Sequence, residues 1–254
     1  MVKQLPQYNY IYLGDNARSP YGNRSFETVT HYTQQCVEAL FAKGCNLVIL
    51  ACNTASAKAL RSIQQNYLPL AAHNKRVLGV IRPTSEIVGR YSKTGSVGIL
   101  GTLGTVSSDS YPAEISKFFP DLKVYQQACP MWVSLVENNE FAEDGADFFV
   151  LKNLNELFSQ SPEIDTIVLG CTHYPLLINK IKAHLPRNVS VISQGEIVAK
   201  SLSDYLKRHP EMESVCFKNS QTEFYTSDDS KVFDTMASLF FGDTVKSSHI
   251  AIGH

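Results

Sequence analysis

Two short stretches of this chain repeat each other's chemistry. Leu47 to Ser56 reads LVILACNTAS, and Ile167 to Pro175 reads IVLGCTHYP. In each, an apolar run of strand length delivers a small residue, then a Cys, with a Thr close behind. Such runs, bounded by polar and helix-starting residues, suit buried strands of a parallel sheet. Open α/β folds place their ligands at the carboxyl ends of such strands. Cys52-Asn53-Thr54 and Cys171-Thr172-His173 are therefore candidate halves of one site. A lone Cys at a strand end is more often a small buried hydrophobe. A matched pair, each beside hydrogen-bonding side chains, argues for a shared task.

The rest of the chain alternates in the same rhythm. Tyr8 to Leu13 reads as a strand, and NARSPYGNRS (16 to 25) carries a turn at Pro20 and Gly22. An amphipathic helix over Phe26 to Lys43 ends at Gly44, followed by the strand Leu47 to Leu50. A helix is predicted over Ser56 to Tyr67 and a strand over Val77 to Ile81. This β-α-β-α-β order implies one parallel sheet with right-handed crossovers. A second cycle follows. It has a helix over Ser85 to Tyr91, strand Ser96 to Leu100, helix Ser110 to Phe119 and strand Lys123 to Gln127. A long helix from Asp144 to Ser159 then leads to strand Thr166 to Leu169, and a strand is expected over Val189 to Ile192. A helix over Glu196 to Lys207, strand Glu223 to Thr226 and helix Lys231 to Phe241 close the chain. The expectation is an α/β fold of two similar parallel-sheet domains, 1–82 with 195–254 and 83–194. No low-complexity linker separates them.

Composition narrows the function classes. With 254 residues, 44% hydrophobic and 19% charged, the chain has the makings of a real core. A net charge of −1 argues against a nucleic-acid partner. The opening MVKQLPQYNY lacks the apolar core of a signal peptide, and no run reaches membrane-spanning length. A cytoplasmic protein with no membrane partner is the expectation. The six cysteines (36, 45, 52, 129, 171, 216) form no CxxC pair, which argues against a zinc site or a disulfide scaffold.

GTLGT (101 to 105) follows a strand, yet it lacks the third glycine of GxGxxG, and no acidic residue ends the next strand. Thr102, Thr105, Ser107 and Ser108 are either contacts for a small polar ligand or a helix N-cap, the commoner use of Ser and Thr there. His173, two positions after Cys171, is either bonded to local backbone or able to lower the thiol's pKa as an imidazolium. Asp15 reads as a turn former and Glu137 as a solvated helix residue.

Two facing thiols suit one chemistry better than others. A metal needs more ligands, and a hydrolase needs one nucleophile with a base rather than two equivalent cysteines. A thiol on each side of a carbon suits removal of a proton from one face and its return on the other. The thiolate is the working base, and it needs local help to form at neutral pH. Asn53, Thr54 and Thr172, with nearby backbone amides, are placed to hold carboxylates and developing carbanion charge.

LGDNARSPYG (13 to 22), ACNTAS (51 to 56), GTLGTVSSDSY (101 to 111) and GCTHYP (170 to 175) together resemble glutamate racemase, of the aspartate/glutamate racemase superfamily. The resemblance implies two α/β domains enclosing glutamate, no cofactor, no metal, and supply of D-glutamate for peptidoglycan. It implies that Cys52 deprotonates D-glutamate and Cys171 L-glutamate. Tyr21, Gly22, Asn53, Thr54, Thr172 and His173 match the family's substrate contacts, with Thr102 and Thr105 as further candidates. His173 is expected to assist Cys171, and Glu137 falls about where the family has an auxiliary acid. Beyond its small-molecule substrate, a homodimer is the one protein partner expected. Related aspartate racemases usually carry Glu where His173 stands, which favours glutamate over aspartate.

One departure shapes a further expectation. Family members carry a first strand ending in Asp-Ser-Gly, whose Asp assists the first cysteine, and that motif occurs nowhere here. On that ground a less stable, weakly active or non-catalytic glutamate-binding chain is the alternative expectation.

Overall fold

The computed structural model describes residues 1–253. Nine strands, every pair parallel, lie in three sheets. They are β1 (Tyr10–Gly14), β2 (Leu47–Leu50), β3 (Arg76–Gly79), β4 (Ser96–Gly101), β5 (Lys123–Ala128), β6 (Thr166–Gly170), β7 (Ser190–Ile192), β8 (Thr222–Thr226) and β9 (Ser247–His249). The largest sheet has the order β5-β4-β6-β7. Its central strands, SVGILG and TIVLG, are buried at every position, as continuous apolar runs in a two-faced parallel sheet must be. Trp132, Leu154, Leu157, Ile167, Leu169 and Tyr174 belong to one core cluster against this sheet. Val97, Ile99, Tyr111, Ile115, Val168 and Ile192 form a second. Alternation along β4 and β6 thus divides each strand between two cores.

The other strands depart from the expected single sheet. β2 pairs only with β3, whereas β1 pairs with β8, which pairs in turn with β9. The β-α-β-α-β pattern correctly implied parallel strands but not which strands become neighbours. Aromatic packing accompanies the actual choice: Tyr12 of β1 meets Phe224 of β8 and Phe233 of the helix Ser230–Phe241. The short strand β9 was not foreseen, and neither was the helix Trp132–Glu137.

Several boundaries move for identifiable reasons. The helix Phe26–Ala42 begins where Ser25 accepts from the Thr28 amide and ends at Gly44, whose φ of +89° suits glycine. The helix expected from Ser56 starts earlier, at Asn53, directly after Cys52. It then runs in broken segments through a π turn at Ile63–Tyr67 to Leu68–Ala71. Pro69 cannot donate a backbone hydrogen bond, and a widened turn just before it accommodates the loss. The helix expected at Ser85–Tyr91 forms instead as Ile81–Ser85 and a 3-10 turn at Val88–Arg90. Among the described residues no helix is long and apolar enough to cross a membrane.

Ile99 lies at the middle of the central strand β4 and is fully buried. Ile99→Ala is expected to lower unfolding free energy by about 2–5 kcal/mol, read from the midpoint of urea denaturation.

Candidate active site

Each candidate cysteine closes a buried strand and opens a turn. Cys52 follows β2 and is half-buried at the N-cap of the helix Asn53–Lys58. The Thr54 and Ala55 amides and the Thr54 side chain lie near its thiol and favour the thiolate. Cys171 follows β6, is 8% exposed, and is approached by the amides of Thr172, His173 and Tyr174. The echo in sequence is thus an echo in geometry: strand, thiol, then amides turned toward sulfur.

Burial outweighs those amides. It pushes the Cys52 thiol above its ordinary value despite the opposing hydrogen bonds. Burial pushes Cys171 up to about 12, and a thiolate at Cys52 contributes to that rise. Cys171 therefore feels charge at Cys52, and burial keeps both thiols protonated at neutral pH.

His173 joins Cys171 to an acid. Its Nε2 lies 2.5 Å from Glu137 Oε1, and its Nδ1 lies 3.8 Å from Cys171 Sγ and 3.4 Å from Thr172 Oγ1. A carboxylate at Nε2 holds the ring proton there, which leaves Nδ1 to accept from the thiol. The same contact with His173 holds the Glu137 carboxyl below its usual range, against the opposing effect of burial. Glu137 is therefore more than the solvated helix residue that the sequence suggested. Phe240 covers the His173 ring edge-on at 5.8 Å.

Asn53 and Thr54 are both 2% exposed. Thr54 Oγ1 lies 2.8 Å from Thr102 Oγ1 and 3.4 Å from Thr105 Oγ1, so three hydroxyls from two strand-end turns meet. Thr102 also caps the short helix Leu103–Val106, accepting from the Thr105 amide. Thr105 is wholly buried within this cluster. Ser107 and Ser108 donate to the Gly104 and Thr105 carbonyls, uses local to their own turn.

The Tyr21-Gly22 loop lies against this cluster. The Gly104 amide donates to the Gly22 carbonyl at 2.7 Å, and a Cβ on Gly22 would stand 3.0 Å from Thr102 Cβ. The close approach is the reason for glycine at 22. The Tyr21 hydroxyl donates to Asp15, which also accepts from Arg18 Nε at 2.8 Å and Ser227 Oγ at 2.8 Å. Arg18 in turn lies over the Tyr32 ring at 4.2 Å and donates to Gln35. Asp15 is thus the hub that holds the loop, a role its turn-like sequence context hid. Lys58, a buried lysine, donates to the Arg24 carbonyl at 2.6 Å and secures the far end of the same loop. Arg18 lies within LGDNARSPYG but is not singled out there, and no motif marks Lys58.

Comparison with known proteins agrees with this geometry. A family model described as Asp/Glu/Hydantoin racemase matches residues 1–202. Glutamate racemase of Streptococcus suis is 34% identical over 253 residues, covering 99% of this chain and 92% of that protein. That of Oceanobacillus iheyensis is 35% identical over 258 residues, covering 99% and 91%. Among solved structures, glutamate racemase isoform RacE1 from Bacillus anthracis superposes with a TM-score of 0.88 at 32% identity, over 98% of this chain and 90% of that one. The Francisella tularensis glutamate racemase, solved in complex with D-glutamate, gives 0.84 at 27% identity, over 100% and 90%. On matches of this length, the chain is an isomerase belonging to the Asp/Glu/Hydantoin racemase family, among its glutamate racemases.

Proposed function

We propose that this chain interconverts L- and D-glutamate without a cofactor by moving a proton between Cys52 and Cys171. The observation that carries this reading is the pair of equivalent strand-end thiols, each facing backbone amides, with Cys171 sensitive to charge at Cys52. Glutamate occupies the space between the two halves of the chain, 1–82 with 195–254 on one side and 83–194 on the other. The α-ammonium of glutamate supplies positive charge that offsets the burial keeping the thiols neutral.

In the D to L direction the Cys52 thiolate takes the α-proton. The Cα–H bond breaks, an S–H bond forms, and the electron pair spreads into the α-carboxylate. Cys171 then delivers its S–H proton to the opposite face and becomes the thiolate. The reverse direction exchanges the roles. His173 takes the Cys171 proton at Nδ1, and Glu137 stabilises the imidazolium so formed. Asn53, Thr54, Thr102 and Thr172 supply donors for the two carboxylates, with Thr105 holding Thr54 and Thr102 from behind. Because the Tyr21 hydroxyl is committed to Asp15, Tyr21 and Gly22 contribute through main chain. The product D-glutamate serves peptidoglycan synthesis, and six free thiols suit work in the reducing cytosol.

Cys52→Ser and Cys171→Ser are each expected to lower kcat at least about a hundredfold, since a hydroxyl is a poor base at neutral pH. Cys45→Ser and Cys216→Ser are expected to keep it within about threefold. Circular dichroism of D-glutamate solutions over time measures all four; equal losses at Cys45 and Cys52 would remove the site assignment.

In deuterium oxide, product is expected to carry deuterium at Cα from the first turnover, with substrate labelled more slowly. Mass spectrometry of a single turnover reads this directly. Product that retains the original hydrogen would exclude two separate bases.

Glu137→Gln keeps a hydrogen-bond partner for His173 and removes the charge. Its kcat/KM is expected to fall about tenfold, the effect of one charge interaction of about 1.4 kcal/mol. The fall must be equal in both directions, because enantiomers have an equilibrium constant of one. An unchanged kcat/KM would remove Glu137 from the proton path.

A further inference from the structure

Behind Asn53 the structure closes a small ring of hydrogen bonds that no sequence motif announced. Asn53 Nδ2 donates to Gln194 Oε1 at 2.8 Å, Gln194 Nε2 donates to the Tyr111 hydroxyl at 2.7 Å, and that hydroxyl donates to Asn53 Oδ1 at 2.7 Å. The residues come from three separate places: the turn after β2, the helix Ser110–Ile115, and the turn between β7 and the helix Gly195–Arg208. Asn53 is 2% exposed, Tyr111 wholly buried and Gln194 9% exposed. Burial drives the Tyr111 phenol far above its ordinary value, so it is a neutral donor at any working pH.

The direction of the ring is dictated from outside it. Gln194 Nε2 also lies 3.2 Å from the Val80 carbonyl and 3.0 Å from Thr84 Oγ1. A backbone carbonyl only accepts, so the nitrogen of Gln194 must face Val80 and its oxygen must face Asn53. The Asn53 nitrogen must then face Gln194, its oxygen must face Tyr111, and Tyr111 must donate. An amide whose two ends would otherwise be nearly interchangeable is left with one orientation. The clasp also ties together the two segments by which the chain enters and leaves the β5-β4-β6-β7 sheet, near Val80–Thr84 and Gln194.

We propose that Tyr111 and Gln194 are positioning residues for racemisation. They lock the Asn53 carboxamide in the one orientation that presents its remaining N–H, beside Cys52, to the substrate. The proposal rests on the glutamate racemase reading for its kinetic consequence, but the ring itself can be tested without turnover.

Tyr111→Phe removes one oxygen and keeps the shape of the buried ring. In the parent, the Asn53 side-chain amide protons, followed by nitrogen-15 NMR, are expected to exchange slowly with solvent. In Tyr111→Phe they are expected to exchange at least about tenfold faster. KM for D-glutamate is expected to rise about tenfold with kcat changed less than threefold, because ground-state and transition-state contacts through Asn53 weaken alike. In an Asn53→Ala background the same substitution is expected to add nothing to the loss of kcat/KM, as for groups that act through one another. Gln194→Glu, which sets a carboxylate against the Val80 carbonyl, is the second variant and is expected to give the same split. Unchanged amide exchange in a folded Tyr111→Phe protein would overturn the proposal. So would faster exchange with kinetics within twofold of the parent, or an equal further loss in the Asn53→Ala background. A parent that fails to racemise glutamate sinks the functional reading alone, and the amide exchange then decides the ring.

Discussion

A strand buried on both faces has no solvated position along its length, so polar chemistry that must meet a ligand is displaced to its end. β4 and β6 meet this constraint at every residue, from Ser96 to Gly101 and from Thr166 to Gly170. Where β6 stops, the next backbone amides have lost their ladder partners and turn toward the Cys171 sulfur. β2 ends in the same way at Cys52, where the helix starting at Asn53 presents its first amides to the thiol. The thiols, the hydroxyl cluster of Thr54, Thr102 and Thr105, and the Cys171-His173-Glu137 line all hang on strand ends. Their placement follows from the need to satisfy backbone groups where sheets terminate.

The electrostatics of the site follow from the same burial. A sulfur removed from water resists ionisation, and amides alone do not reverse that penalty at either cysteine. Charge at Cys52 raises the Cys171 thiol further, so the two do not ionise independently. His173 gives Cys171 a proton acceptor that Cys52 does not share, so the two halves are equivalent in backbone but not in side chains. That asymmetry sets a ring nitrogen beside Cys171, whereas Cys52 has only the amides and the Thr54 side chain near its sulfur.

Around the thiols lies a shell of committed polar groups. Asp15 accepts from three side chains and fixes the Tyr21-Gly22 loop, while Lys58 holds the loop's other end through the Arg24 carbonyl. Such groups are buried only because they are paired, and each pairing removes an orientation that the loop would otherwise sample. The site is held from behind by residues that contribute no chemistry of their own.

Much of this was legible in the sequence, because the relevant signals are local. The apolar runs before Cys52 and Cys171 pointed to parallel strands ending at both, and the strand before Cys171 is buried throughout while that before Cys52 is buried at alternate positions. Gly22, Thr54 and Thr102 were singled out by the motifs around them, and the fold brings the three together. The pairing of β1 with β8 rather than within a sheet shared with β2 was not legible, because strand adjacency depends on contacts far apart in the chain. Glu137 and Asp15 looked like ordinary solvated or turn residues until the fold brought His173 to one and Arg18, Tyr21 and Ser227 to the other. Tyr111 closes the GTLGTVSSDSY motif without any sign of its partner, and Gln194 carries no local mark at all. Side-chain hydrogen bonds between residues 58 to 141 positions apart are decided only when the chain has closed, and burial then makes each of them obligatory.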